Sequence, residues 1–244
     1  MQKMILNEMK KLNDYILFNF LAKDKENAEE IISAGEGYIV PGIVSSDFTA
    51  IEEAAKTVEE IKEVAPLVSI GLGDGGNPAN WEKVLGIAAK SQPGHINQPF
   101  EKSSYVRGVL YGMGQKQMVN GLVAPTGRIG YVKAGGVEMA AEELVELAAA
   151  MGIPSIKFMP LKGTIHLEEL TYLTKAAAQK GIMAIEPAGG ISESNITEII
   201  AAVKDTGIPL FMPHIFGSTI DKHTGRTLAE EVAKIVKKAK GGLS

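Results

Sequence analysis

Two short apolar runs, Ser155-Ile156-Lys157-Phe158-Met159 and Ile182-Met183-Ala184-Ile185, decide the fold of this chain. Both runs are apolar at nearly every position, which is typical of a strand in a parallel sheet whose two faces are covered. The residues between them leave room for one helix and two short loops. Gly181 stands directly before the second run, where a helix that leads into a strand commonly ends. The stretch therefore predicts one unit of an alternating β/α fold.

The same unit recurs along the whole chain, because comparable runs start 22 (16 to 38) to 34 (121 to 155) residues apart. Eight nearly equal units predict an α/β fold, a (β/α)8 TIM barrel that forms a single domain over residues 1–244. An open doubly wound sheet fits less well, since no glycine-rich turn follows the first run. The predicted strands are Ile16–Leu21, Tyr38–Val44, Leu67–Leu72, His95–Phe100, Gly121–Ala124, Ser155–Met159, Ile182–Ile185 and Ile208–Phe211.

Several intervals between the runs carry helix signals. Asp24 opens a helix that ends at Gly35, Asn77-Pro78 precedes another, and Ser192 opens one that ends at Gly207. The first residues, Met1–Asn13, place the apolar side chains of three residues on one helical face, which predicts an extra N-terminal helix. That helix would plug the barrel floor or lie in a subunit interface; the three residues are Ile5, Met9 and Leu12.

Composition excludes several classes of protein. The chain has 25 Lys+Arg, 29 Asp+Glu and a net charge of −4, which argues against nucleic acid or an anionic membrane as a partner. It has no cysteine, which excludes disulfides, thiolate metal sites and a cysteine nucleophile. No apolar run approaches the ~20 residues of a membrane span, and the N-terminus lacks the apolar core of a signal peptide. These features predict a cytoplasmic location.

In such a barrel the active site lies at the C-terminal ends of the strands. Lys157 lies within a short apolar strand, and burial lowers the pKa of a lysine, as Schiff-base chemistry requires. Glu186 ends the next run, and Gly189 and Gly190 follow it in a loop that suits a phosphate group. The structural alternatives are a lysine that only extends along a strand end or pairs with a carboxylate, a Glu186 that only pairs with Lys133 or Lys157, and a plain tight turn.

Other residues after the runs are weaker candidates. Asp74 lies in a glycine-rich loop and His214 follows the last run, so either is a candidate acid or base. Asp47 and Ser46 follow the second run and are expected mainly to cap the next helix, with any substrate contact secondary. Lys133 is a rival nucleophile or anion contact. The remaining candidates for substrate or phosphate binding are Gly73, Asn97, Gln98, Thr126 and Ser218.

The segments Ile156–Pro160 and Pro187–Ser192 resemble the lysine strand and the phosphate loop of 2-keto-3-deoxy-6-phosphogluconate (KDPG) aldolases. The chain is still more similar to a branch associated with D-glucosaminate catabolism, the KDGP aldolase family. The further matching segments span nearly the whole chain and are Gly71–Gly75, Asn97-Gln98, Pro125–Lys133, Glu186–Ile191 and Pro213–Gly225.

The resemblance implies a class I retro-aldol reaction with no cofactor or metal. Lys157 would form an iminium with the C2 ketone of KDPG, and cleavage would release glyceraldehyde 3-phosphate and then pyruvate. It leaves open whether 4-hydroxy-2-oxoglutarate is also cleaved. Gly189, Gly190 and Ser218 would hold the phosphate, and a homo-oligomer is expected.

One departure from the better-known aldolases concerns the proton shuttle. Their second strand carries a glutamate and an arginine, whereas Tyr38–Val44 has neither. Glu186, Asp74 and His214 are the candidate replacements for the glutamate, and Arg107, Arg128 or Lys133 for the arginine. A phosphate-binding isomerase or epimerase without a covalent intermediate is the main alternative function. A non-catalytic sugar-phosphate binder and a metal-dependent aldolase are the others.

Overall fold

Each of the eight apolar runs contributes a strand to one parallel sheet in the computed structural model, which describes residue 6 and residues 8–242. The sheet closes because Leu17 N donates to Phe211 O (3.1 Å) and Phe211 N donates to Tyr15 O (2.8 Å). The barrel strands are β1 (Phe18–Leu21), β2 (Ile39–Val44), β3 (Val68–Gly71), β4 (Gly94–Pro99), β5 (Met118–Pro125), β8 (Ser155–Phe158), β9 (Ala184–Pro187) and β10 (Leu210–Phe211). The predicted TIM barrel is confirmed.

Helices cover the outside of the barrel, and each turns its apolar side chains onto the strands. They are α1 (Lys25–Ala34), α2 (Ile51–Lys62), α3 (Trp81–Ser91), α4 (Phe100–Gly112), α5 (Ala141–Ala150), α6 (Leu167–Gln179), α7 (Ile196–Val203) and α8 (Ala229–Gly241). Across the described part of the chain, no helix combines the length and apolarity needed to cross a membrane.

The predicted signals for the first and third helices are confirmed. The Asp24 side chain accepts a hydrogen bond from Asn27 N (2.8 Å), and α1 ends at Gly35. The Asn77 side chain accepts from Ala79 N (3.1 Å) and starts a short 3-10 turn that leads into α3. In both places a side-chain oxygen satisfies an amide that has no partner within the helix.

Two other helices begin later than predicted. α7 begins at Ile196 rather than near Ser192, because Asn195 Oδ1 accepts the Ser192 amide (2.9 Å) and holds the intervening residues in turns. Residues Ser45–Asp47 form a 3-10 turn, and α2 starts only at Ile51, without a side-chain cap. The expectation that Ser46 or Asp47 caps α2 is therefore wrong, and Asp47 is left at the top of the barrel.

A hairpin that the sequence analysis did not predict fills the longest interval. β5 pairs antiparallel with β6 (Tyr131–Ala134), which pairs with β7 (Val137–Ala140), so that three strands precede α5. Glu169 on α6 fixes the base of this hairpin, because its Oε2 accepts the amides of Thr126 (2.8 Å) and Gly127 (3.1 Å).

The barrel floor is apolar. Leu6 is buried against the inward-facing side chains at the N-terminal ends of the strands, and Met9 packs beside it. Residues 8–13 form turns and a bridge from Leu12 to Ile16 rather than a helix. The remainder of the predicted N-terminal helix, which includes Ile5, lies outside the described residues. The expected plug of the floor is present at Leu6.

Candidate active site

Lys157 points into the barrel from β8 and is only 5% exposed. Its Nζ donates to Asn97 Oδ1 (2.9 Å) and lies 3.1 Å from His214 Nδ1. Burial lowers the pKa of the Lys157 ammonium to about 8, and the charge of Glu186 offsets only part of that effect. At pH 7 roughly a tenth of such lysines carry the neutral amine that attacks a carbonyl.

Asn97 holds the lysine in place. Its amide nitrogen donates to Ile70 O (2.8 Å) and Ser69 Oγ (3.2 Å), so its oxygen must face Lys157. Asn120 Nδ2 donates to the same oxygen (2.8 Å). A neutral acceptor stabilises the lysine with less effect on its pKa than a carboxylate would have.

Glu186 is fully buried one strand away, opposite Lys157 in the register of β8 and β9. Its carboxylate accepts hydrogen bonds from His214 Nε2 (2.8 Å), His95 Nε2 (3.0 Å) and Asn120 Nδ2 (2.7 Å), and from the Ser155 hydroxyl. Burial raises the pKa of this carboxyl, but the two histidines outweigh burial and bring it well below its usual range. Glu186 is therefore an ionised acceptor with all its bonding directions occupied.

The carboxylate fixes the tautomer of His214. An ionised carboxylate only accepts, so His214 Nε2 carries the hydrogen and Nδ1 presents its lone pair to Lys157. Burial and the charge of Lys157 lower the pKa of His214 to about 3 despite the opposing effect of Glu186, so the ring is neutral. The arrangement places a base in contact with the amine.

His95 is the main residue that sequence reasoning missed. It is fully buried, and its Nδ1 lies 2.8 Å from Ser69 Oγ while its Nε2 meets Glu186. The sequence could have indicated His95 by its position two residues before Asn97 in β4, because side chains two residues apart on a strand point to the same face of the sheet.

Two cavities open at the C-terminal end of the barrel, and both are lined by Met159 and Phe216. The first, of about 320 Å³, reaches Lys157 and Asn97. The second, of about 340 Å³, has His214 among its lining residues. The Lys157 amine and the neighbouring imidazole therefore lie where the two cavities meet, and together the cavities have the size of a small-molecule site.

The second cavity is built from the glycine loop after β9. Gly190 has φ +74°, and a Cβ there would lie 2.5 Å from Gly163 N, so only glycine fits. Asn195 Nδ2 donates to Gly190 O (2.8 Å) and braces the loop. Among the described residues, six backbone amides that border this cavity have no acceptor, and they suit an anion. They are those of Gly189, Gly190, Ile191, Phe216, Gly217 and Ser218.

Some predicted residues come together here and others do not. Gly189, Gly190 and Ser218 line the second cavity, and Gly73, Asp74 and Asn97 line the first. Three predicted contacts lie elsewhere. Gln98 points outward and donates to Trp81 O (3.2 Å), Thr126 is held by Glu169, and Lys133 is exposed on the hairpin.

Two expectations about charged partners are also changed by the structure. Glu186 bonds to neither Lys133 nor Lys157, because His214 lies between Glu186 and the Lys157 amine. Arg128 pairs with Glu138 (2.6 Å) on the exposed hairpin, away from both cavities. In the described chain, no group of three or more His, Cys, Asp or Glu side chains is arranged as a metal site.

A comparison with protein families gives a match over residues 12–223 to the model described as KDGP aldolase. The chain belongs to the KDGP aldolase family. A curated relative from Salmonella typhimurium, named 2-dehydro-3-deoxy-phosphogluconate aldolase, is 36% identical over 241 residues, which cover 93% of this chain and 97% of the relative. This KDGP aldolase family member is accordingly an enzyme, a lyase of the aldolase type.

Solved structures of other enzymes share the fold. A mutant tryptophan synthase α-subunit from Pyrococcus furiosus has a TM-score of 0.61 at 18% identity, over 96% of this chain and 100% of that one. A thiamine phosphate pyrophosphorylase from the same organism has a TM-score of 0.60 at 11% identity, over 95% and 98%. At such identities the likeness concerns the fold alone.

Proposed function

We propose that this KDGP aldolase family member is a class I aldolase that cleaves 2-dehydro-3-deoxy-6-phosphogluconate to pyruvate and glyceraldehyde 3-phosphate through a Schiff base on Lys157. The observation that carries the proposal is the buried Lys157 amine, whose polar contacts within the described residues are neutral acceptors and which lies at the junction of two cavities. The name of the relative from Salmonella typhimurium agrees with this substrate.

The neutral amine of Lys157 attacks the C2 ketone and forms a carbinolamine. The nitrogen gives up two protons in all, one from the ammonium before the attack and one after it, and His214 Nδ1 receives each in turn while its other nitrogen stays bonded to Glu186. Burial first and the lysine charge second lower the pKa of His214, and only the second cause is absent in the neutral carbinolamine, so the ring passes each proton on to the former carbonyl oxygen rather than keeping it. Water leaves, and the iminium forms.

The iminium then accepts the electron pair of the C3–C4 bond. The phosphate end of the substrate lies in the second cavity, where backbone amides hold it, while the Ser218 hydroxyl donates to Ile191 O (3.0 Å) and braces the loop. The glycine loop thereby sets the distance between the phosphate and C2. Hydrolysis of the pyruvate iminium regenerates Lys157.

Borohydride trapping tests the proposal. The protein is incubated with pyruvate and sodium borohydride, and its intact mass is measured for the wild type, Lys157→Ala and the surface control Lys175→Ala. We expect one reduced pyruvate adduct on the wild type and the control and none on Lys157→Ala. An adduct that survives in Lys157→Ala but disappears in Lys133→Ala would move the nucleophile to the hairpin. Absence of any adduct would reject a Schiff base and favour the isomerase alternative.

A further inference from the structure

The first cavity carries two carboxylates that the buried network does not use. Asp47 lies in the 3-10 turn after β2, and Asp74 lies in the glycine-rich turn after β3; both line the cavity that reaches Lys157. Asp47 also borders a third cavity of about 470 Å³, whose lining includes Lys23. A carboxylate in the cavity that holds the amine matters because cleavage of a carbon–carbon bond next to a hydroxyl needs a base that accepts the hydroxyl proton.

We propose that Asp47 is the catalytic residue that moves a proton from the C4 hydroxyl of the substrate to C3 during carbon–carbon bond cleavage. This inference rests on the proposed Schiff-base function and adds a group that acts on carbon rather than on nitrogen. It divides the proton transfers between two cavities, with His214 serving the lysine nitrogen and Asp47 the carbon chain.

The step balances with one carboxyl group. The Asp47 carboxylate takes the proton of the C4 hydroxyl, and the O–H electron pair forms the C4 carbonyl as the C3–C4 bond breaks. The C3–C4 electrons form the C2–C3 double bond of an enamine, and the iminium nitrogen becomes neutral. The carboxylic acid of Asp47 then protonates C3 and restores the iminium, which water hydrolyses. The proton that leaves O4 is the one that C3 gains, so no other reactant is needed.

The other carboxylates suit this task less well. Glu186 is fully buried beneath His214, with four donors on its oxygens. Asp47 and Asp74 are both exposed, but Asn80 Nδ2 donates to Oδ2 of Asp74 (3.1 Å) and engages that carboxylate. Partial burial, and secondarily the charge of Asp74, raises the pKa of the Asp47 carboxyl towards the range where it both takes and returns a proton. Asp74 therefore acts as a positioning charge for Asp47.

The test separates iminium formation from cleavage in the variant Asp47→Asn. Pyruvate trapping by borohydride needs no proton transfer at C4, so we expect trapping to be retained. Cleavage of the phosphorylated substrate should fall by about 100-fold or more. The exchange of pyruvate methyl hydrogens with deuterium in D2O, which needs a base at C3, should slow to a similar degree. Asp14→Asn, the same change at the opposite end of the barrel, is the matched control and should behave as the wild type.

Two results would overturn the role of Asp47. One is a cleavage rate for Asp47→Asn close to that of the wild type. The other is a folded Asp47→Asn that loses trapping and cleavage together, because that pattern places the residue at the nitrogen step or in substrate binding. If Asp47→Asn does not fold, Asp47→Glu provides the test. It should keep the deuterium exchange, because it keeps a carboxyl group, but with a shifted pH profile, and an unshifted pH profile of exchange would contradict the role. A wild type that fails to trap pyruvate would instead reject the underlying function.

Discussion

Lys157 and Glu186 face each other across two neighbouring strands, yet His214 separates their side chains. The ionised carboxylate therefore does not form an ion pair with the amine, which would hold the lysine protonated. It acts through the ring, whose lone pair it directs at the amine. This geometry keeps the pKa of Lys157 near 8, although the negative charge of Glu186 lies close enough to the amine to raise that pKa slightly.

Replacement of His214 should slow the chemistry at the lysine nitrogen. In His214→Asn the amine loses its base, so we expect the rate of iminium formation to fall by about 100-fold. A time course of borohydride trapping with pyruvate measures that rate directly. His166→Asn is a suitable control, because His166 pairs with Glu169 near the base of the hairpin rather than with the lysine. Equal trapping rates in His214→Asn and the wild type would contradict this role.

Glu186→Gln should reduce both stability and activity. The neutral amide can no longer accept from all four donors, and each buried donor left unpaired costs about 1–3 kcal/mol. We therefore expect a lower free energy of unfolding by urea denaturation, together with a slower iminium step because the His214 tautomer is no longer fixed. A variant as stable as the wild type would show that the four hydrogen bonds contribute little.

The buried lysine should make stability depend on pH in a specific direction. Below pH 8 both the folded and the unfolded chain carry the ammonium, and the folded state bears the full cost of burying it. Between about 8 and 10.5 the folded lysine loses its proton before the unfolded one, so the wild type gains stability relative to Lys157→Met. The gain should approach about 3 kcal/mol by pH 10.5.

Urea denaturation of the wild type and Lys157→Met across this range measures the effect. The surface variant Lys175→Met should show no such trend. A difference between wild type and Lys157→Met that stays constant from pH 7 to 10.5 would mean that the folded lysine keeps an ordinary pKa.

Gly190→Ala should weaken binding of the phosphorylated substrate while pyruvate trapping survives. The added methyl group would lie 2.5 Å from Gly163 N, so the loop must move. Gly181→Ala is the matched control: Gly181 also has a positive φ (+77°), but its Cβ would enter open space at the other end of the barrel. Gly181→Ala should lose about 1 kcal/mol of stability because of its positive φ, Gly190→Ala should lose more because of the backbone contact, and only Gly190→Ala should raise KM. An unchanged KM in Gly190→Ala would argue against phosphate binding in the second cavity.

The repeat of the fold was predictable because each strand is covered on both faces and therefore consists of nearly continuous apolar residues. The hairpin of β6 and β7 was not predicted, since its strands are short and exposed on one face and pack outside the barrel. The only sign of it was the length of the interval that starts at residue 121. Helix starts were predictable where a side chain caps the helix, as at Asp24, and not where turns intervene, as before Ile196.

The site was predictable where its reactive residues lie at or just after the C-terminal end of a strand. Lys157, Glu186 and the glycine loop stand out in the sequence because a charge or a pair of glycines interrupts an apolar run. His95 does not stand out, and Asp47 was expected mainly to cap a helix, since the importance of both depends on which residues from distant strands they meet. The outward direction of Gln98 illustrates the same limit: its neighbour Asn97 faces the site, and adjacent positions on a strand point to opposite sides.

The polar interior of this barrel also limits how the enzyme can evolve. Ser69, His95, Asn97 and Asn120 each bond to another member of the network around Glu186, so a substitution at one position leaves an unsatisfied group at the next. Viable changes must therefore arise in compensating pairs, and the effect of each depends on which came first. A lineage that explores new substrates would be expected to vary the loops above the strands and to leave this interior unchanged.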